Sequence, residues 1–275
     1  MNRRAYLGAV TATGGVALSG CLDGLTGSGD ETVRPPESED AVLEPPEWER
    51  DLSGVAHPTY GQRLPSFSVH DPLADEPVTD EQFRGERAIL LTFYFTSCPA
   101  GVCPGLIQRL VNVQPTVASE GFTDEVAFLA MTFDPEHDTA EVFDDEVDRY
   151  GIDLDAGNWH FLRPESPDRA KEIVGEDFGN PVQRVPVEEA DHGGDGNHEG
   201  HDGHDDGGTR DDHNGHGETD GHGDHEYTFE HYDLILLANK DGVVERSYPQ
   251  ATAHVSVDEI EADLLAVLER HHEAT

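Results

Sequence analysis

The chain has 275 residues and a formal net charge of −41, with 17 lysines and arginines against 58 aspartates and glutamates. A chain this acidic is repelled by nucleic acid and by anionic membrane surfaces, so we expect no nucleic-acid partner. The acidic residues are spread along the whole chain, which is typical of halophilic adaptation, in which surface carboxylates keep a protein soluble at very high salt. The three cysteines are too few for a disulfide framework.

The first 20 residues have the pattern of an export signal. A pair of arginines, Arg3 and Arg4, precedes an apolar stretch that is too short and too rich in glycine for a good membrane span. The pair resembles a twin-arginine signal, and "LSGC", which ends at Cys21, resembles a lipobox in which that cysteine becomes the lipidated N-terminus. We therefore expect a protein exported and anchored by lipid at Cys21 to the outer face of the cytoplasmic membrane. A Sec signal with an incidental cysteine is the alternative.

The next segment, residues 21–56, is rich in Gly, Pro, Ser and acidic residues, and it is predicted to be a disordered tether. The folded domain is predicted over 57–275. The apolar patterns predict, in chain order, a short strand at Phe67 and Val69, a strand at 87–97, a helix from Pro104, a strand at 125–134, a helix at 139–151, a short strand at 159–164, a helix at 166–179, a hairpin at 232–249 and a helix at 256–272.

This order of elements predicts an α/β fold. The two long apolar strands, joined by a helix, are expected to be parallel, and the hairpin adds antiparallel strands to the same sheet. A pair of cysteines after the first long strand, at the start of its helix, is the thioredoxin-like arrangement. We therefore predict a thioredoxin-like mixed sheet flanked by helices.

One segment, residues 188–226, interrupts this domain and contains little besides Gly, Asp, Glu and His. Such a composition cannot pack, so it is predicted to be a disordered low-complexity insertion. Its eight histidines, half of the 16 in the chain, are His192, His198, His201, His204, His213, His216, His222 and His225. Imidazole together with carboxylate suits Cu(II), Zn(II) or Ni(II), so they are candidates for auxiliary metal ligands. The alternative is a solvated acidic loop in which the histidines are incidental.

The cysteine pair Cys98 and Cys103 is separated by four residues, and each cysteine precedes a proline. A helix N-terminus favours the reactive thiolate form. Residues five positions apart on a helix differ by about 140° in direction, so Cys98 is expected in the loop and Cys103 at the helix start. Gly101 is the residue best able to absorb the extra step. These features leave open a metal site, a redox couple or a structural disulfide.

The motif "LLTFYFTSCPAGVCPGLIQRL" resembles the metal-binding segment of the Sco/SenC family, thioredoxin-fold copper chaperones of cytochrome oxidase assembly. That family carries Cys-Pro-x-x-Cys-Pro, and this chain has one extra residue between the thiols. "MTFDPEHDTAEVFDDEVDRYG" and "WHFLRP" resemble the family's next segments. "FEHYDLILLANKDG" places His231 on the family's copper-binding histidine, with His225 as the nearest rival. The likeness runs from about residue 60 to 272, without the insertion.

The resemblance implies a copper site, for Cu(I) or Cu(II), made by Cys98, Cys103 and His231. It also implies delivery of copper to the copper-centre subunit of a terminal cytochrome oxidase, or maintenance of that subunit's thiols by Cys98 and Cys103 as a redox pair. The insertion would then gather copper near this site. The alternatives are a thiol–disulfide oxidoreductase or thiol peroxidase without copper, and a passive metal buffer built on the insertion. Asp134 and Glu136 are interpreted as loop caps before the next helix, with a role in the metal site as the alternative.

Overall fold

The computed structural model describes residues 37–47, 54–98, 101–186 and 227–273, together with Pro35 and Leu52. The predicted export signal, Cys21 and the histidine-rich insertion lie outside the described residues. Within the described part of the chain, no helix combines the length and the apolar character that a membrane span needs.

A five-stranded mixed sheet forms the centre of the domain, in the order β5-β4-β3-β8-β9. Strands β3, β4 and β5 are parallel, whereas β8 is antiparallel to both β3 and β9. The strands are β1 Ser68–Asp71, β2 Glu76–Thr79, β3 Ala88–Tyr94, β4 Val126–Thr132, β5 Trp159–Leu162, β6 Gln183–Pro186, β7 Tyr227–Glu230, β8 Leu234–Ala238 and β9 Val244–Pro249.

The α-helices follow the sequence prediction, with one addition. They are α1 Val102–Ser119, α2 Ala140–Tyr150, α3 Pro167–Ala170, which continues as a π-helix Lys171–Asp177, α4 Ala251–His254 and α5 Val257–Glu273. The helix predicted at 166–179 is thus part α-helix and part π-helix, and only the single-turn α4 was not predicted. Neighbouring residues Phe93 and Tyr94 point to opposite faces of β3, where Phe93 packs on Phe178 and Tyr94 on Phe143. Helical segments therefore cover both faces of the sheet, which explains the unbroken apolar run of β3.

Strands β6 and β7 form a separate antiparallel ribbon in which Pro186 pairs with Tyr227. These two residues are the last before and the first after the stretch that contains the insertion. The ribbon was not predicted, because each of its strands is only four residues long and carries no strong alternation of apolar residues. The two residues that flank this stretch therefore lie side by side at one end of the ribbon.

Part of the predicted tether, residues 37–47, packs against the domain. Backbone N–H groups of Val42 and Leu43 donate to the carboxylate of Glu245 at 2.7 and 2.9 Å. The Tyr60 hydroxyl donates to the carbonyl of Leu43 at 2.8 Å. We call residues 37–47 the strap. Sequence composition did not predict this docking, because its hydrogen bonds use the strap's backbone and a carboxylate two hundred residues away.

Candidate metal centre

Three separate parts of the chain converge at one end of the central sheet. After β3 the chain runs through Phe95 to Cys98, and α1 begins at Val102 with Cys103 in its first turn. Strand β8 is antiparallel to β3, so the residues before it arrive at the same end of the sheet at which β3 finishes. His231, which lies between β7 and β8, is thereby brought to the two cysteines.

The three side chains are close enough to share one ion. One ligand atom from each of Cys98, Cys103 and His231 lies within 4.8 Å of the others. The Cys103 Sγ and His231 Nε2 atoms are 3.5 Å apart. Donor atoms bound to one ion at about 2.0 to 2.3 Å lie about 3.5 to 4 Å apart in trigonal geometry. The arrangement therefore fits a single metal ion with small side-chain movements.

Gly101 sets the geometry between the two thiols. It is the N-cap of α1 and has a φ of 73°, in the left-handed region that favours glycine. The prediction that Gly101 absorbs the extra residue thus agrees with the backbone. The helix begins two residues before Pro104, so Cys103 is inside the first helical turn rather than just ahead of the helix.

The two cysteines differ in exposure. Cys103 is fully buried, whereas Cys98 is partly accessible, and the two are not joined by a disulfide bond. Burial, followed by the adjacent Cys98 thiol, raises the pKa of Cys103 well above its usual range. Cys103 therefore holds its proton in the metal-free protein, and a metal ion must displace that proton to bind the thiolate.

The histidine lies in aromatic surroundings. The ring of His231 is 4.9 Å from that of Phe133 and 6.0 Å from that of Phe95, centroid to centroid. Its Nδ1 atom is 3.0 Å from the carbonyl oxygen of Tyr232. A carbonyl oxygen only accepts hydrogen bonds, so Nδ1 carries the proton and Nε2 offers its lone pair toward Cys103.

Asp138 stabilises the start of the cysteine loop by hydrogen bonds. It is fully buried and accepts hydrogen bonds from the hydroxyls of Thr96 and Thr132. The backbone N–H of Thr96 also points at this carboxylate, at 3.3 Å. Since Thr96 is two residues from Cys98, Asp138 holds the start of the loop that carries the thiol. The residue stands in the sequence motif described above, but its role as a brace was not predicted.

Asp134 and Glu136 do not cap the next helix, contrary to the interpretation from sequence. The N-cap of α2 is Thr139, whose side chain accepts from Val142. Asp134, which is 2% exposed, instead accepts a hydrogen bond from the Tyr227 hydroxyl at 2.9 Å. Glu136 forms an ion pair with Arg184 at 3.3 Å. Both acidic residues therefore bind the β6–β7 ribbon, which carries His231 at its end.

The donor set restricts the metal. Two thiols and one imidazole are soft or intermediate ligands, so Mg²⁺ and Ca²⁺, which prefer oxygen, do not fit. Thiolates favour Cu(I) and Zn(II), and imidazole suits both metals. Among the described residues this is the one group of three such side chains close enough to hold an ion.

A model of the SCO1/SenC family matches residues 63–199. The chain belongs to the SCO1/SenC family. The match includes Cys98 and Cys103 but ends before His231. The inclusion of that histidine in the candidate metal centre therefore rests on its distance from the two cysteines. A sequence search of curated proteins found no match.

Solved Sco structures share the fold. A SCO1/SenC family lipoprotein from Bacillus anthracis str. Ames is 16% identical with a TM-score of 0.52, and the likeness covers 75% of this chain and 95% of that one. BsSco, a member of the Sco family of cytochrome c oxidase assembly proteins in which a disulfide switch was identified, is 19% identical with a TM-score of 0.51, over 76% and 94% of the chains. Apo Sco1 from Thermus thermophilus is 21% identical with a TM-score of 0.50, over 79% and 99%. The predicted thioredoxin-like fold is confirmed.

Proposed function

We propose that this protein binds one copper ion through Cys98, Cys103 and His231 and serves the assembly of a terminal cytochrome oxidase. In that role it delivers copper to the copper-centre subunit or keeps the thiols of that subunit reduced. The observation that carries the proposal is the convergence of three donor atoms within 4.8 Å in a member of the SCO1/SenC family. The description of BsSco as a member of a family of cytochrome c oxidase assembly proteins supports the choice of client.

The site is accessible enough for its metal ion to be transferred to a partner protein. Cys103 is buried, but Cys98 and His231 are each half-buried, so one side of the site is open to solvent. A partner's ligands can approach a copper ion from this side and replace Cys98 or His231 in turn. Soft thiolates hold Cu(I) strongly, and exchange through shared ligands avoids release of the ion into solution.

Competition titration of the reduced protein with Cu(I) against a chelator tests the site. We expect Cys98→Ser and Cys103→Ser each to lower the affinity by more than about 100-fold. Removing a metal ligand lowers metal affinity more than removing a hydrogen bond that orients the ligand. His231→Ala, which also removes a ligand, should lower it by about 100-fold or more. His254→Ala, which removes an exposed histidine on α4, is the matched control and should have no effect. Unchanged affinity in all three ligand variants would refute the copper site.

A second candidate is thiol–disulfide exchange without copper, favoured by the contact between the reduced Cys98 and Cys103 side chains. Cys98 and Cys103 would together give two electrons and two protons to a partner disulfide, forming one intramolecular disulfide and two partner thiols. Reduction of a peptide disulfide, or turnover of a peroxide, by copper-free protein would support this candidate. The activity should then disappear in either cysteine variant and survive in His231→Ala.

We also propose export and lipid anchoring at Cys21, on the sequence pattern of the first 21 residues. This location places the protein where oxidase copper centres that face outward can be reached. Cell fractionation provides the test: the wild type should sediment with membranes, and Cys21→Ser should not.

A further inference from the structure

Asn180 makes an unusual pair of hydrogen bonds with the residue after His231. Its side-chain oxygen accepts from the backbone N–H of Tyr232 at 2.8 Å, and its Nδ2 donates to the Tyr232 carbonyl at 3.2 Å. One side-chain amide thus pairs with both backbone groups of a single residue, as a neighbouring strand would. Asparagine provides both the donor and the acceptor that this pairing needs.

The Tyr232 carbonyl is shared between Asn180 and the candidate ligand. It accepts from Asn180 Nδ2 and also from Nδ1 of His231, at 3.0 Å. The second bond determines which nitrogen of His231 is protonated and directs Nε2 toward Cys103 Sγ, 3.5 Å away. The position of this carbonyl therefore bears on both the tautomer and the direction of the imidazole.

Asn180 is itself held firmly. It is fully buried, and its backbone N–H donates to the carbonyl of Val174 in the π-helix at 2.9 Å. The preceding Gly179 has a φ of 62°, and a Cβ atom there would lie 2.2 Å from the carbonyl oxygen of Ala56. Only a glycine allows the 54–58 segment to pass this closely. Asn180 is thereby held to the π-helix by its backbone N–H, and the adjacent Gly179 packs closely against the 54–58 segment.

We infer that Asn180 is a positioning residue for the copper ligand His231. It holds the Tyr232 carbonyl that keeps His231 in the Nδ1-protonated tautomer and presents Nε2 to the metal. The inference rests on the proposed copper site, but the tautomer is a property of the metal-free protein and can be measured without copper. Contacts of this kind around ligand histidines typically change metal affinity by about 10- to 100-fold.

The first measurement is ¹⁵N NMR of the His231 ring in metal-free, reduced protein at about pH 8, where an ordinary imidazole is neutral. The wild type should show a protonated Nδ1. Asn180→Leu removes both hydrogen bonds at similar size, and we expect its His231 signals to shift toward a mixture of the two tautomers. Cu(I) affinity should fall by about 10-fold or more in the same variant.

Asn158→Leu is the matched control. Asn158 is another buried asparagine, 1% exposed, with hydrogen bonds to Gln114 and Thr123 instead of the site. It should lose stability as Asn180→Leu does, yet keep the wild-type tautomer and affinity. If Asn180→Leu does not fold, Asn180→Asp serves in its place, since it keeps the acceptor for the Tyr232 N–H and lacks the donor to its carbonyl.

A wild-type tautomer and wild-type affinity in the Asn180 variant would overturn the inference. So would an equal loss of affinity in Asn158→Leu, because the effect would then come from general destabilisation. A failure of the proposed copper site would give a different result. In that case His231→Ala would leave the Cu(I) affinity unchanged, whereas the His231 tautomer would still differ between the wild type and Asn180→Leu.

Discussion

Glu146 on α2 is a buried glutamate, which its local sequence does not predict. It stands in an acidic helix that would be expected to face solvent, yet it is 4% exposed. Burial raises its pKa to about 7, although the Arg149 guanidinium, 2.8 Å from Oε1, opposes the shift. The buried Asp138 and neighbouring Asp145 raise the pKa further. The carboxyl group is therefore partly protonated near neutral pH.

This shift predicts a dependence of stability on pH. Between about pH 4.5 and 7 the folded protein holds a proton on Glu146 that the unfolded chain has released, so the free energy of unfolding falls as pH rises through this window. Glu146→Gln removes the contribution, which is roughly 3 kcal/mol for a shift of this size. Urea denaturation at several pH values should show the variant gaining stability relative to wild type as pH rises. Parallel profiles for the two proteins would contradict the prediction.

Single residues also mark the limit of prediction from sequence. Cys98 and Cys103 were found because their spacing and flanking prolines form a local pattern. Asn180, Asp138 and Glu146 were not recognised as functional or buried, since each depends on partners that folding brings from other elements. Nothing in the nearby sequence of Asn180 points to Tyr232, 52 positions away.

At the scale of elements, the β6–β7 ribbon connects the insertion to the candidate site. The guanidinium of Arg184 lies 3.4 Å from the centre of the Tyr227 ring and pairs with Glu136. The Tyr227 hydroxyl binds the buried Asp134. The ribbon is therefore tied to the loop between β4 and α2, and His231 follows its last residue directly. Contacts from residues outside the insertion therefore hold the ribbon and position His231.

Deleting residues 190–225 should accordingly leave the domain folded. Pro186 and Tyr227 are paired, and the remaining four residues are a suitable length for a hairpin connection. We expect unchanged affinity for Cu(I) at the Cys98–Cys103–His231 site, because its ligands and braces remain. The number of bound Cu(II) ions should fall, since the eight histidines are lost.

Elemental analysis and chelator competition measure the two effects separately. A second variant of full length, with the eight histidines replaced by asparagine, controls for the change in loop length. Unchanged Cu(II) stoichiometry in both variants would show that the histidine-rich insertion does not capture copper.

At the scale of the whole molecule, the strap docks at the end of the sheet opposite the candidate site. Ala238, at the end of β8, pairs with Ile89 near the start of β3, whereas Cys98 follows the end of that strand. Glu245, which receives the strap, lies just after the β8–β9 turn. Seven residues of strand separate the two ends by about 20 Å. The strap and the candidate site therefore lie at opposite ends of the central sheet.

The docking of the strap depends on Glu245, which is fully buried. Its carboxylate accepts from Val42, Leu43 and the side chain of Asn239. Glu245→Gln replaces one acceptor by a donor that faces these N–H groups, so we expect a loss of about 1 to 3 kcal/mol in the free energy of unfolding. Limited proteolysis should cut within 37–47 faster, while Cu(I) affinity stays unchanged.

Glu44→Gln is the control for the strap, because Glu44 lies in the same segment and is exposed. It should leave both stability and the rate of cleavage as in the wild type. Equal cleavage rates for Glu245→Gln and wild type would show that the carboxylate does not hold the strap.

The sequence by itself determined the central strands, the main helices and the cysteine pair at the start of α1, since apolar periodicity, capping residues and thiol spacing are local properties. The family resemblance implied His231 as the third ligand, but only the tertiary structure brings it to 3.5 Å from Cys103, 128 positions away. Only the tertiary structure pairs Asn180 with the residue after His231 and binds the strap to Glu245. The physical reason is the same for all three. Each contact depends on the pairing of β8 with β3 or on the close approach of distant backbones, and neither leaves a periodic signal in the chain.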